Sequence, residues 1–238
     1  ILSLQIISKI ADTVVETQNT YYQGIYEGEA GLVPVQERFL RNKEEAYNVF
    51  NHSITFINKK GIDIEAAKAA YYDIIEHHDT LRTIFVRDNK KIRQIVKNNV
   101  DDCVFFESED LTNDADYKNI IWNDINSIQK KINIFNGKNS YVKLYKTLNG
   151  DYLSITIHHM VVDGVSWRII LEDFMTAYNM HKEGKCAILP MKTAPFLEWV
   201  KDYARYSSNL PEWEKDYWSR IINEEEKIAI CNIENAWK

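Results

Sequence analysis

The stretch His158-His159-Met160-Val161-Val162-Asp163-Gly164-Val165-Ser166-Trp167 decides how the chain is read. It closes an apolar run, Tyr152-Leu153-Ser154-Ile155-Thr156-Ile157, that reads as a strand. Side chains of a strand alternate between its two faces. Leu153, Ile155, Ile157 and His159 therefore share one face, and Ser154, Thr156 and His158 share the other. His159 prolongs the apolar row and is expected where the interior meets a cleft. An imidazole there is neutral at cellular pH and able to accept a proton. The structural alternative is a core histidine satisfied by a backbone partner.

Working outward, the acid-glycine turn is followed by an amphipathic helix expected over 166–182. Its residues Trp167, Ile170, Leu171, Phe174 and Tyr178 face inward, and Gly184 is placed to stop it. Upstream, 141–147 and 151–158 read as a hairpin turning at Asn149-Gly150. A second hairpin is expected from 81–87 and 91–96, and shorter strands at 47–57 and 104–107. Helices are expected at 1–15, at 34–42 after Pro34, at 64–78 capped by Asp63, at 114–132, at 195–206 and at 211–222. The polar stretch 16–31 reads as a linker or long connection. Helices and hairpins intermixed give an α+β fold, a mixed and largely antiparallel sheet packed with helices.

The 238 residues suffice for one large domain or two small ones. A hydrophobic fraction of 45% and a charged fraction of 27% are those of an ordinary globular protein. The formal charge of −6 argues against nucleic acid as a partner. No stretch approaches the roughly 18 apolar residues of a membrane span, and the N-terminus carries no secretion signal. Cys103, Cys186 and Cys231 match neither a disulfide framework nor a zinc spacing. No metal site is expected, and a cytoplasmic location is. A second adjacent pair, His77-His78, ends a helix and reads as structural, with His78 inward and His77 outward. Glu224-Glu225-Glu226 reads as a solvated surface.

The pattern His-His-x-x-x-Asp-Gly at 158–164 resembles the signature of the chloramphenicol acetyltransferase-like fold. That fold is shared by the condensation and epimerization domains of nonribosomal peptide synthetases. The continuation Val165-Ser166-Trp167, with Ile170-Leu171-Glu172-Asp173 beyond it, is similar to the epimerization variant. Two further segments match in order: Pro34-Val35-Gln36-Glu37-Arg38-Phe39, and His77-His78-Asp79-Thr80-Leu81-Arg82-Thr83-Ile84-Phe85. The resemblance covers about 32–222.

The resemblance implies a chemistry. Epimerizing an aminoacyl or peptidyl thioester means removing the α-proton and returning it on the other face, which takes a positioned base and electrostatic help for the carbanion or enolate. His159 is the implied base or acid, and His158 is implied to orient the loop. Asp163 is implied to pair with Arg82 and hold the loop. Gly164 is expected to supply a tight turn and close backbone approach. Ser166 belongs to the motif, and Trp167 is read as packing.

No cofactor is expected to bind directly, since the substrate rides on the 4'-phosphopantetheine of a peptidyl carrier protein. Domains of this family have two similar lobes, and the chain has the motifs of the N-terminal lobe, expected at 32–238. The C-terminal lobe, which supplies the opposite-face partner, is thus an implied partner, and the lobe alone is expected to be inactive. Residues 1–31 are read as a helix and linker, and Ile1-Leu2-Ser3-Leu4-Gln5-Ile6-Ile7 is similar to a carrier-protein helix. Within the family the competing reading is a condensation domain forming an amide bond, and outside it a non-catalytic lobe that docks a carrier.

Overall fold

A computed structural model describes residues 21–41, 47–88 and 91–223. The helix expected at 1–15 and the acidic run at 224–226 lie outside the described residues. The fold is α+β, with two sheets and six α-helices among the described residues.

The larger sheet has the order β2-β7-β6-β5, from β2 (Asn51–Asn58), β7 (Asp151–His158), β6 (Ser140–Lys146) and β5 (Phe106–Asp110). The β2–β7 and β6–β7 pairs are antiparallel, while β5 runs parallel to β6. The sheet is therefore mixed. At the tip of the β6–β7 hairpin Gly150 adopts φ +117°. A Cβ there would stand 2.9 Å from the Lys59 Cα at the end of β2. Glycine is thus required both for the turn and for the close passage of β2.

The apolar row of β7, Leu153, Ile155 and Ile157, is buried beneath two helices. These are α2 (Ile64–His77) and α4 (Gly164–Lys182), which pack on one another and on the sheet. Asp63 caps α2 by accepting from the Ala66 N–H, as its position just before the apolar periodicity suggested. Burying an aliphatic side chain of this kind stabilises by about 1.5–3 kcal/mol each. The opposite face is polar. Ser53 bonds Thr156 at 2.8 Å, Thr55 donates to Ser154, and Gln129 donates to Ser53. Helix α3 (Tyr117–Ile128) covers the far side of that face through Ile121 and Tyr145.

The smaller antiparallel sheet, β1-β4-β3, contains β1 (Gly28–Ala30), β3 (Thr83–Asp88) and β4 (Lys91–Val96). The stretch expected to be a linker thus contributes a strand at its end. The residues before β1 are also held: Gln23 and Lys192 exchange backbone and side-chain bonds, and Tyr26 donates to Glu198 at 2.5 Å. A polar composition hid this because the segment is anchored by hydrogen bonds rather than by an apolar row. Helices α1 (Pro34–Leu40), α5 (Phe196–Ser208) and α6 (Glu212–Asn223) complete the described elements. No helix of the described residues is long and apolar enough to cross a membrane.

Candidate active site

Strand β7 ends at His158, and the next residue is fixed by β2. The His159 N–H donates to the Phe50 carbonyl at 2.8 Å, just before β2 begins. The two adjacent imidazoles then meet different surroundings, as strand alternation requires. His158 is fully buried. Its Nε2 lies 2.6 Å from the Tyr47 carbonyl and its Nδ1 accepts from the Met160 N–H at 3.1 Å. A carbonyl only accepts, so Nε2 carries the proton and both nitrogens are occupied. Burial pushes this imidazole down to about 4. It is a neutral structural strut that shapes the turn, with no lone pair left for chemistry.

His159 has the opposite tautomer. Its Nδ1 lies 2.7 Å from the Val162 carbonyl, which again can only accept. Nδ1 therefore holds the proton, and the basic lone pair sits on Nε2. The ring is half-buried and packs at a tilt on His52 and Phe50, 3.9 Å and 4.7 Å away between ring centres. His52 opposes Ile157 across the β2–β7 ladder, so His159 lies on the apolar-row side. Burial, and then proximity to His159, lowers the basicity of His52. Sequence reading passed over His52 and Phe50. Only the pairing of β2 with β7 brings them to the site, and register between strands distant in sequence is not written in either one.

After His159 the chain turns through buried Val162 into α4. Asp163 is its N-cap: Oδ1 accepts from Val165 N–H at 3.0 Å, Ser166 N–H at 2.7 Å and the Ser166 hydroxyl at 2.7 Å. These bonds, led by the Ser166 N–H, hold the Asp163 carboxyl below the usual carboxylate range. Ser166 thus closes the cap. Trp167, one turn into the helix, is buried as a packing residue, and its Nε1 has no partner among the described residues.

Two expectations are corrected. Arg82 does not pair with Asp163. It is completely buried, and its guanidinium donates to the carbonyls of Lys97, Ile75, Glu76 and Tyr26 and to the Asp79 carboxylate. Those are all five of its N–H donors, so none remains for a sixth partner. Asp163 meanwhile spends one carboxylate oxygen on backbone N–H groups of its own helix. Arg82 still orders the fold, by tying the end of α2, the start of β3 and the 21–30 segment to one point. Gly164 is the first residue of α4 rather than a left-handed turn residue, and a Cβ there would meet nothing within 4 Å. The tight turn comes from 159–162 instead.

The second histidine pair falls where the end of α2 meets α4. His78 Nε2 is 2.9 Å from the Asp173 carboxylate, but off the line of a proper N–H bond. Burial pushes His78 down to about 4 and Asp173 up. With His77 and Lys192 they line a cleft of about 270 Å³. Among the described residues no three His, Cys, Asp or Glu side chains converge as metal ligands.

A condensation-domain family model matches residues 26–236. The chain belongs to the condensation-domain family. It is a condensation-superfamily domain of nonribosomal peptide synthetases, and its relatives make peptide antibiotics such as tyrocidine and bacitracin. It is 33% identical over 222 residues to gramicidin S synthase 1 of Brevibacillus brevis, covering 93% of this chain and 20% of that protein. It is 34% identical over 203 residues to tyrocidine synthase 2 of Brevibacillus parabrevis, covering 85% of this chain and 6% of that one. The crystal structure of the epimerization domain from the third module of tyrocidine synthetase B superposes with TM-score 0.75 at 36% identity. That match covers 78% of this chain and 42% of the other. The starter condensation domain of rhizomide synthetase shares the fold, with TM-score 0.66 at 19% identity, over 76% of this chain and 46% of that one. The chain therefore spans less than half of these solved domains and a small part of the synthetases.

Proposed function

We propose that the chain is the N-terminal lobe of an epimerization domain, which converts an L-aminoacyl or L-peptidyl thioester on a carrier protein to the D form. The observation that carries this reading is the gap in likeness: 36% identity to an epimerization domain against 19% to a condensation domain of the same fold. The run Val165-Ser166-Trp167 after the Asp-Gly supports it. We place the start of the lobe no later than residue 26, where the family match begins, rather than at 32, because β1 is a strand of its smaller sheet.

In this reading Nε2 of His159 takes the α-proton, because Val162 holds the other proton on Nδ1. The C–H electron pair moves into the thioester carbonyl as an enolate. Return of a proton on the opposite face needs an acid that a second lobe would provide. His158 and Asp163 position the ring by fixing the two ends of the turn. The peptidyl carrier protein, with its phosphopantetheine-borne substrate, is the partner. In this reading the opposite-face acid belongs to the second lobe, so the lobe alone is expected not to racemise.

The test is α-proton exchange. A complete two-lobed domain is given an L-aminoacyl carrier in deuterated water, and deuterium uptake is followed by mass. The expected result is exchange that falls about 10²–10⁴-fold in His159→Ala, the usual worth of a positioned base. Undiminished exchange in the variant would sink His159. Amide product without exchange, when an aminoacyl acceptor is supplied, would move the reading to condensation. Neither product would favour a docking lobe.

A further inference from the structure

The ring packed most closely on His159 belongs to another histidine, and neither motif nor strand alternation accounts for it. His52 lies on β2, and its ring centre is 3.9 Å from that of His159 with the planes 44° apart. Phe50 closes the cluster, 4.7 Å from His159 and 6.4 Å from His52. Phe50 is held in turn by Phe39 of α1, stacked at 5.1 Å. The backbone supports the same placement, since the Phe50 carbonyl receives the His159 N–H. The His159 ring is thus held at Nδ1 by a carbonyl and on its flank by two rings at the start of β2, His52 within it and Phe50 just before it, which leaves rotation about its side-chain bonds little room.

Two imidazolium ions at this separation repel, and half-buried rings gain little screening from water. The other titratable groups that bear on the pair are His158 and Asp163. His158 has both nitrogens engaged and stays neutral. Asp163 is an anion, and proximity to His159 is among the causes that lower its carboxyl. The arrangement thus accommodates one positive charge and resists a second.

We propose that His52 is a positioning residue for His159: its ring packs on the His159 ring with centres 3.9 Å apart and, together with Phe50, fixes the orientation in which His159 presents Nε2. This rests on the reading of His159 as the base, but the pairing can be tested without any turnover.

The imidazole signals of the 238-residue chain would be followed by NMR across a pH titration, in wild type, His159→Gln, His52→Gln and His52→Phe. In the wild type the pair is expected to titrate in two steps, with the His159 signals responding to both. In His159→Gln the His52 midpoint is expected to move up. In His52→Gln and His52→Phe the His159 signals are expected to follow a single step, and the phenylalanine keeps the ring packing should glutamine loosen it. Independent single-step curves in wild type, with the His52 midpoint unmoved by His159→Gln, would overturn the pair. In the complete domain His52→Gln is expected to lower the exchange rate on the order of tenfold with KM unchanged, a misaligned base rather than a lost one. An unchanged rate would overturn the positioning role. A wild-type domain that shows the two-step titration yet no exchange would remove the epimerase reading and leave the pair standing.

Discussion

The chain twice writes His-His followed four residues later by a charged side chain, Arg82 in one turn and Asp163 in the other, and the two behave differently. At 77–82 a helix gives way to a strand; at 158–163 a strand gives way to a helix. In the first turn the lock is a cation: Arg82 gathers four backbone carbonyls and the Asp79 carboxylate at the C-terminal end of α2. In the second it is an anion: Asp163 gathers N–H groups at the N-terminal end of α4. Each charge suits the helix end it serves, since helix C-termini present bare carbonyls and N-termini bare N–H groups. Each turn also holds one histidine neutral, His158 fully buried between two backbone groups and His78 partly buried beside Asp173. The difference lies in the remaining ring. His77 borders a cleft beside α4 and the 190–196 segment, whereas His159 is packed against His52 and held at Nδ1 by the Val162 carbonyl, which leaves the lone pair on Nε2. In the proposed reading, the chemical site is thus distinguished from the structural one by how the remaining ring is held, not by the presence of two histidines.

The largest effect expected of the comparison is at the buried lock. Arg82→Ala leaves the carbonyls and carboxylate of the first turn without their donors, and is expected to cost about 3–5 kcal/mol in denaturant unfolding. Asp163→Ala removes an exposed cap and is expected to cost about 1 kcal/mol. In a double-mutant cycle the two should add, because they share no partner. A coupling above about 0.5 kcal/mol would restore an Arg82–Asp163 contact.

The second effect concerns the strut. His158 is held neutral down to about 4 in the folded chain against 6.5 when free. The unfolded chain therefore binds the proton first as pH falls. The stabilisation from His158 is complete above about pH 6.5 and is lost between there and pH 4, amounting to about 3 kcal/mol. His158→Gln should flatten that part of a stability-against-pH curve. An unchanged slope would mean that His158 is already charged or reachable by water. The smallest effect is at Gly164. As the first residue of a helix with open space around it, Gly164→Ala is expected to stabilise by up to about 1 kcal/mol. A loss of stability would return it to the role of a strained turn.

Much of this was legible in the residues. The hairpin at Asn149-Gly150, the cap at Asp63 and the helix beginning beyond Asp163 follow from local patterns that depend on neighbours a few residues apart. So does the separation of His158 from His159 onto opposite faces, since alternation along a strand is a local property. The histidine motif, too, is written in consecutive residues, and it placed the chain in its family. What the tertiary structure decided depends on residues far apart in sequence. Arg82 was matched to the wrong partner because an arginine satisfies itself with whichever carbonyls the packing brings near, and four of its five acceptors are backbone atoms that no side-chain pattern reveals. The 21–30 segment became a strand and a clasp because β4 and Lys192 lay open to it. His52 and Phe50 reached His159 only through the register of β2 against β7, one hundred residues apart in the chain. Local sequence fixes which face a side chain takes; only the paired sheet fixes what it meets there.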